Sequence, residues 1–298
     1  MNLKLPDGWT ARVTVSNGRT KANGQYLTPA QWRQWLSRPL QWVQQVDRRD
    51  LLKASSTTTV CRVRLPLADG QHVDAVCKRG RSRYLSKRIL NVFRTSRPMR
   101  TWRRAHILLN CHIPTARPLA VVEKRRFGLL FDSLILTEYL RDTVDLESLL
   151  TVHMRGLNEH QAYLRKLQVS RCLSDFLLKM QASGLYHRDF KALNVIVQGS
   201  RQFDSPRICL VDLDGVKRVR FARTRSWMRM LMRLNVSVDG FRRVTLTDRV
   251  RLLRSFLRGI GCQEDWKKIW HKLAAMSERK RHIRSKRQER SFKKYGRF

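Results

Sequence analysis

The sequence predicts an α+β fold in which a small β-rich region precedes a mainly helical one. β-prone runs are concentrated between residues 57 and 140, whereas helical periodicity dominates after residue 145. With 298 residues, the chain is long enough to bury the core of one large domain or of two lobes. The expected organisation is an N-terminal extension over 1–50, a β-rich lobe over 51–140, a helical lobe over 141–276 and a basic C-terminal tail over 277–298.

The β-rich region contains a clear hairpin signal. The runs TTTVCRVRL (57–65) and HVDAVCKR (72–79) are rich in β-branched residues and are joined by Ala-Asp-Gly-Gln at 68–71. Before them, Thr28 followed by Pro29 predicts the start of a helix. The other elements expected in this half are helices around 82–93 and 98–110, and a strand pair formed by 113–125 and 129–140.

The second half is expected to begin with a long amphipathic helix. Asn158 and Gln161 have the spacing of a capping box, and Gly184 stands where a helix C-cap glycine belongs. Apolar residues recur between them at helical spacing: Val169, Leu173, Phe176, Leu177 and Met180. Two short strands at 195–197 and 207–211 then flank a loop, and the chain to residue 276 is helical. The basic end of the chain lacks a long apolar stripe, which is typical of a frayed helix or a tail.

The charge of the chain is its most unusual property. It has 62 Lys and Arg against 23 Asp and Glu, a formal net charge of +39. The apolar content is ordinary, which indicates that the chain as a whole is globular and is not a disordered basic polypeptide. Such an excess predicts an anionic partner, which is a nucleic acid, an acidic membrane surface or an acidic protein.

The cysteine pattern and the hydropathy predict the cellular compartment of the protein and its relation to membranes. The six cysteines form no C-x-x-C pair and several lie in apolar runs, so buried free thiols in a reducing cytosol are expected. The first residues lack the apolar segment of a signal peptide, and no run approaches the roughly 20 apolar residues that span a bilayer. We therefore expect a soluble or peripheral protein.

Residues 186–197, YHRDFKALNVIV, carry the chemistry. His187, Arg188, Asp189 and Asn194 have the H-R-D-x-x-x-x-N spacing of a phosphotransfer catalytic loop. Asp189 is expected to accept or orient the proton of the acceptor hydroxyl, and Lys191 to neutralise charge on the transferred phosphoryl group.

A metal pair and a nucleotide contact are expected around this loop. Asn194 offers an amide oxygen to Mg²⁺, and Asp212, at the end of the run RICLVDLDG, supplies the second ligand. Upstream, Ala-Val-Cys-Lys at 75–78 ends a strand in the manner of V-A-I-K, which places Lys78 at the α- and β-phosphates of ATP. These motifs occur in the right order on the expected elements, and together they predict a protein-kinase-like bilobal fold.

Two features depart from the protein-kinase pattern. The segment 53–59, where a Gly-rich loop is expected, has no glycine, so Ser55 and Ser56 are the candidates for covering the phosphates. No Asp or Glu occurs from Ala75 through Val122, which leaves Asp212 or the phosphates themselves to pair with Lys78. Glu138, at the expected hinge 138–140, is a further candidate nucleotide contact.

Several segments resemble the Kdo/WaaP lipopolysaccharide kinases, bacterial sugar kinases with a protein-kinase-like fold. The resemblance covers about residues 50 to 290 and rests on AVCKRG (75–80), RTWRRAHILLNCHIPTARPLAVVE (100–123), LILTEYL (134–140), VDLESLL (144–150), GLYHRDFKALNVIV (184–197) and VDLDGVKR (211–218). The helix with Trp102, followed by His112-Ile113-Pro114-Thr115, is the most family-specific piece. Thr101 stands where some members have an acidic residue.

The resemblance implies a function and a location. It implies ATP and Mg²⁺ as cofactors and phosphorylation of a heptose or Kdo hydroxyl in the lipopolysaccharide inner core or a lipid-linked precursor. It also implies work at the cytoplasmic, inner face of the inner membrane. The positive charge of the chain agrees with a membrane location, since each Lys or Arg near an anionic membrane contributes about 1 kcal/mol to binding. The acid-free span 75–122 and the run 217–235 are candidate membrane contacts, although 217–235 favours a helix that packs its apolar stripe inward.

Two other functions remain open. A Ser/Thr protein kinase would need an activation segment, but no A-P-E element follows Asp212. A basic pseudokinase scaffold that binds RNA or an acidic protein would explain the charge, but not the retained catalytic set. Because no recognised RNA-binding module occurs, we expect no specific nucleic-acid partner, whereas an acidic protein partner is compatible with the charge.

Overall fold

A computed structural model shows that the chain folds into two compact units, residues 1–110 with 115–141 and residues 111–114 with 142–298. The structure describes residues 1–14, 20–22, 25–44, 46–55, 58–66, 72–80, 95–199, 206–219 and 224–295. The expected α+β architecture is confirmed, because strands dominate the first unit and helices the second.

An antiparallel sheet with the order β1-β2-β8-β9-β7-β6-β5 organises the first unit. Its strands are β1 (Asn2–Lys4), β2 (Trp9–Val13), β5 (Leu51–Ala54), β6 (Thr58–Pro66), β7 (His72–Gly80), β8 (Pro118–Arg126) and β9 (Leu129–Glu138). A separate pair is formed by β3 (Thr20–Ala22) and β4 (Gln25–Leu27). Both predicted strand pairs, β6–β7 and β8–β9, are thus confirmed. The turn 68–71 and the helix expected at 82–93 lie outside the described residues.

The predicted N-terminal extension belongs to the same unit as this sheet. Its β2 pairs with β8, and Thr10 donates a hydrogen bond to the backbone oxygen of Glu123 at 3.4 Å. Its helix α1 (Pro29–Leu36) begins at Thr28 with a complete capping box, as the sequence predicts. A short helix α2 (Gln41–Gln44) follows.

The core of the first unit lies between α1 and one face of the sheet. Trp32 and Leu36 of α1 are fully buried there. Side chains alternate along a strand, so every second residue of β6 and β7 joins this core: Cys61, Val63, Leu65, Val73, Ala75 and Cys77. Helix α3 (Arg97–Asn110), which carries Trp102, also packs against the sheet at β7, β8 and β9.

An ion-pair network of the sheet is centred on the buried side chain of Asp74. Its carboxylate, 2% exposed, lies 2.9 Å from Arg62 Nη2 and 3.1 Å from Arg141 Nη2. Burial opposes ionisation of this group, but Arg62 and Arg141 hold the pKa of the Asp74 carboxyl below its usual value. The network therefore stabilises the sheet only while Asp74 is ionised.

The lowered pKa of Asp74 predicts a pH-dependent contribution to stability. The contribution is fully present above the unfolded-state pKa of about 4 and is lost as pH falls through the lower, folded-state pKa. We expect Asp74→Asn to lower the free energy of unfolding at neutral pH and the deficit to shrink on acidification. Urea denaturation at a series of pH values measures this difference, with the exposed Asp7→Asn as the control. A deficit that is constant with pH would contradict the assignment.

Four helices build most of the second unit. They are α5 (Glu159–Ala182), α6 (Thr224–Ser237), α7 (Leu246–Gly259) and α8 (Trp266–Tyr295). Helix α5 packs against α7, and α8 packs against α6 and α7. A short turn α4 (Leu146–Ser148), which continues as a π-helical turn over Leu149–His153, precedes them. The residues predicted as a basic tail continue α8 to Tyr295.

The ends of α5 agree with the sequence prediction. Asn158 and Gln161 form the capping box, and Gly184 follows the helix with φ of +62°. A Cβ at Gly184 would lie 2.9 Å from the backbone oxygen of Val219, so glycine is required there for conformation and for space. Within the described part of the chain, no helix is both long and apolar enough to cross a membrane.

Candidate active site

Short strands position the catalytic loop of the second unit. They are β10 (Thr143–Asp145), β11 (Leu185–His187), β12 (Val195–Gln198), β13 (Arg207–Leu210) and β14 (Val216–Arg218), which form a β10-β12-β13 sheet and a β11-β14 pair. The segment 188–194 therefore runs from the end of β11 to the start of β12. The segment 211–215 likewise connects β13 to β14, so the two loops share the same two pairs of strands.

The candidate metal ligands come from these two loops. Val195 pairs with Leu210, and Val211 N donates to Asn194 O at 3.0 Å, which brings the backbone before Asp212 against Asn194. The Asn194 side chain is buried, and its Nδ2 donates to Asp189 O at 2.8 Å. This hydrogen bond orients the amide and leaves Oδ1 as the atom that can coordinate a cation.

The donor set fits Mg²⁺ better than a metal enclosed by protein ligands. The described residues contain no group of three or more His, Cys, Asp or Glu side chains able to hold a metal. One carboxylate from Asp212 and one amide oxygen from Asn194 are hard oxygen ligands. Mg²⁺ is commonly held by one or two such protein groups, with waters and substrate phosphates completing its shell.

His187 holds the backbone of Asp212 in place. The ring is buried, and Nε2 lies 3.0 Å from the Asp212 backbone oxygen. Burial lowers the pKa of His187 despite the opposing influence of Asp212, so the ring is neutral and donates its Nε2–H to that oxygen. Asp212 itself has left-handed backbone angles (φ 55°, ψ 51°), which are uncommon for a residue with a side chain. The histidine of the motif thus acts as a positioning residue.

Asp189 is the reactive carboxylate candidate. It is half-exposed, at 49%, with Lys191 Nζ at 3.3 Å and Arg233 Nη1 at 3.7 Å. The next residue, Phe190, is fully buried and stacks on Phe176 with ring centroids 6.2 Å apart. This anchor keeps the loop fixed while the carboxylate remains accessible to a substrate.

Helix α6 provides contacts that sequence reasoning missed. Ala192 N donates to Ser237 Oγ at 2.9 Å, and Arg233, one turn earlier on the same face, reaches Asp189. The i, i+4 spacing of these residues shows that they share a helix face, but nothing local in the sequence indicates which loop that face contacts.

The expected nucleotide contacts lie in the first unit. Lys78 lies within β7, opposite Val60 and Ile135, and by strand alternation points away from the face that carries Ala75 and Cys77. Ser55 follows β5, where its Oγ accepts from Thr58 N at 3.1 Å. Ser56 lies outside the described residues. Glu138 ends β9. The structure thus brings Asp189, Lys191, Asn194 and Asp212 together in the second unit, whereas Lys78, Ser55 and Glu138 belong to the first.

The segment 111–114, which precedes Thr115, belongs to the second unit. Pro114 O accepts from Leu210 N at 3.2 Å, at the end of the strand that leads to Asp212. Pro114 is therefore hydrogen bonded to the strand that leads to the candidate metal ligand Asp212.

Comparison with known protein families shows to which family the chain belongs. The model of the lipopolysaccharide kinase (Kdo/WaaP) family matches residues 34–269, most of the chain. The chain belongs to the Kdo/WaaP lipopolysaccharide kinase family. A solved structure described as WaaP in complex with acyl carrier protein has a similar fold, with a TM-score of 0.58 and 18% sequence identity. The similarity covers 84% of this chain and 96% of that one. Comparison with curated proteins gives no match.

Membership confirms the resemblance seen in the sequence and the kinase-like fold. A kinase family implies a phosphotransferase that uses ATP. The two loops that hold Asp189, Asn194 and Asp212 contain the candidate residues for that chemistry, because phosphoryl transfer depends on positioning and charge neutralisation.

Proposed function

We propose that this protein is an ATP-dependent kinase that phosphorylates a heptose or Kdo hydroxyl of the lipopolysaccharide inner core or of a lipid-linked precursor. The observation that carries the proposal is the arrangement around Asp189. This accessible carboxylate stands on a loop in which Asn194 donates a hydrogen bond to the backbone oxygen of Asp189. Asn194 also adjoins the backbone that leads to Asp212. Family membership supports the lipopolysaccharide as the substrate.

In this mechanism Asp189 receives the proton of the acceptor hydroxyl as that oxygen forms a bond to the γ-phosphorus of ATP. The bond between the γ-phosphorus and the bridging oxygen breaks, and ADP leaves. Lys191, beside Asp189, stabilises negative charge on the transferred group. Asn194 and Asp212 would hold Mg²⁺, which neutralises phosphate charge when bound. We propose that Lys78 pairs with the α- and β-phosphates. Three further residues are proposed as nucleotide contacts: Ser55, Ser56 and Glu138.

We propose that the enzyme works in the cytoplasm, peripherally at the inner face of the inner membrane. The acceptor would be membrane-bound, and a formal charge of +39 favours an anionic surface. The run 217–235 is a weaker candidate for the contact than its composition indicates, because Trp227 and Met228 are buried inside the unit.

An acyl carrier protein is the proposed protein partner. The structural neighbour was solved with one, and acyl carrier proteins are acidic, which complements the charge of this chain. The second unit also contains an apolar pocket of about 90 Å³ between its helices. The pocket is lined chiefly by aliphatic side chains, including Val169, Leu173, Leu231, Leu234, Leu253 and Leu273. A pocket of this kind suits an acyl chain carried by such a partner.

The partner proposal is tested by thermal unfolding with acylated and unacylated carrier protein. We expect the acylated form to raise Tm more than the unacylated form, because a ligand that binds only the folded state stabilises it. Equal shifts, or no shift with either form, would refute occupancy of the pocket by the chain.

The enzymatic proposal is tested with purified protein, Mg²⁺ and γ-labelled ATP. Intact core lipopolysaccharide, deacylated core and a generic protein substrate are offered in parallel. Label in the core sugars supports the proposal, and label only in protein supports the Ser/Thr kinase alternative. If no acceptor is labelled and ATP–Mg²⁺ does not raise Tm, the chain is a pseudokinase scaffold.

A further inference from the structure

One face of α8 continues from the core of the second unit into a row of cations. Leu273 and Ser277 are buried on this face, and Asn235 of α6 donates from Nδ2 to Ser277 Oγ at 2.9 Å. Residues three and four apart share a helix face, so the same face continues through Lys280, Arg284 and Arg287. The contact with α6 therefore determines where these cations lie.

The row begins, at Lys280, beside the catalytic loop. Arg233 of α6, two residues before Asn235, lies 3.7 Å from Asp189. Lys280 is half-buried, and burial, followed by repulsion from Arg233 and Arg287, lowers its pKa. Asp189 acts on Lys280 in the opposite sense, and Arg284 adds to the repulsion. Lys280 is thus close enough to the candidate catalytic carboxylate and to three arginines for all four charges to act on it.

This cluster differs from the neighbouring basic residues because it carries so little negative charge. Arg249 and Arg281 share Asp239 at 3.2 and 3.1 Å. By contrast, among the described residues Asp189 is the anion that acts on Lys280, and Lys191 already lies 3.3 Å from Asp189. Cations held together by packing repel each other, and a bound anion would relieve that repulsion.

We propose that Arg233, Lys280 and Arg284 form a binding site for a carboxylate or phosphate group of the acceptor glycolipid, next to the hydroxyl that receives the phosphoryl group. This inference rests on the proposed function of Asp189. Arginine side chains bind carboxylates and phosphates through two parallel hydrogen bonds, which fixes orientation as well as supplying affinity. The site would select an acidic sugar region and hold one of its hydroxyls at Asp189.

The test compares two double variants that remove the same charge from the same helix. K280Q/R284Q removes two members of the cluster, whereas R279Q/K286Q removes two exposed cations from the opposite face of α8. With deacylated core as acceptor, we expect K280Q/R284Q to raise the acceptor KM by about tenfold or more and to leave the ATP KM within about twofold. R279Q/K286Q should keep the wild-type acceptor KM.

The chemical form of the acceptor identifies the recognised anion. Carboxyl-reduced and phosphatase-treated cores are offered to the wild type and to K280Q/R284Q. The form that lacks the recognised group should raise the wild-type acceptor KM and have little further effect on the variant. Inorganic phosphate should compete with the acceptor in the wild type and less so in the variant.

The outcomes separate this inference from the proposed function. Equal KM changes in both double variants, or a change in the ATP KM alone, would overturn the anion site while leaving the kinase activity standing. If the wild type labels no glycolipid, the proposed function fails. Calorimetry with free Kdo and with inorganic phosphate then decides the site without turnover, because anion binding must be weaker in K280Q/R284Q than in R279Q/K286Q. The single variant R284Q, at an exposed position, provides the same comparison if the double variant is unstable.

Discussion

Replacing Asp189 with Asn is expected to lower kcat by about 10²- to 10⁴-fold, the usual contribution of a positioned general base. The substitution keeps the shape of the side chain but removes its ability to accept the acceptor proton. Asn194 and the buried Phe190 hold the loop through contacts that do not involve the Asp189 side chain, so the fold should persist. Steady-state kinetics with core acceptor measure kcat, and ATP–Mg²⁺ thermal shifts show whether nucleotide binding is retained.

Asp239→Asn is a matched control for this experiment. Asp239 is also an exposed carboxylate of the second unit with two cationic neighbours, Arg249 and Arg281. Its removal should leave kcat within about twofold, because surface ion pairs contribute little. A D189N enzyme that retains kcat within a few-fold of the wild type would exclude Asp189 as the proton acceptor.

Gly215→Ala is expected to disrupt the metal-ligand loop from inside. A Cβ at Gly215 would lie 2.5 Å from Nε2 and 2.6 Å from Cε1 of His187. The ring is buried and hydrogen bonded to Asp212 O, so it cannot move aside without breaking that hydrogen bond. We expect a loss of about 1–3 kcal/mol in the free energy of unfolding, typical of overpacking. A fall in kcat should accompany it, because Asp212 depends on that ring for its backbone position.

Two comparisons isolate the cause of that loss. Gly156→Ala, also in the second unit, adds a methyl group where no heavy atom lies within 4 Å, so it should be close to neutral. Adding Gly215→Ala to a His187→Ala background should cost far less than adding it to the wild type, because the obstructing ring is gone. Additive losses in this double-mutant cycle would show that the ring is not the obstacle.

Much of the local structure follows from short stretches of sequence. The capping boxes at Thr28 and Asn158, the glycine after α5 and the β6–β7 hairpin each depend on residues close together in the chain. The spacing of Asp189 and Asn194 is likewise a local feature, set by residues close together in the chain. A seven-residue loop between two strands brings the Asn194 side chain to the backbone oxygen of Asp189.

Other features depend on contacts between distant segments. Residues 1–13 belong to the segment 1–50 that the sequence predicts as an N-terminal extension, and β2 within it pairs with β8 of the sheet. Pairing of this kind depends on which strand edge is left open after folding, and no local pattern states that. For α8 the sequence predicts helix to residue 276 and leaves a frayed helix or a tail beyond it, because the exposed basic half lacks the apolar stripe that periodicity detects.

The sequence alone determined the chemistry of this protein, since the residue types and spacings at 187–194 and 211–215 suffice to indicate a phosphotransferase loop. Tertiary structure decided what surrounds that chemistry. Ser237 supports the loop from 45 positions away, and packing of α8 on α6 brings Lys280 towards Asp189. The physical reason is that short spacings are constrained by backbone geometry, whereas contacts between distant helices are set by how their buried faces pack together.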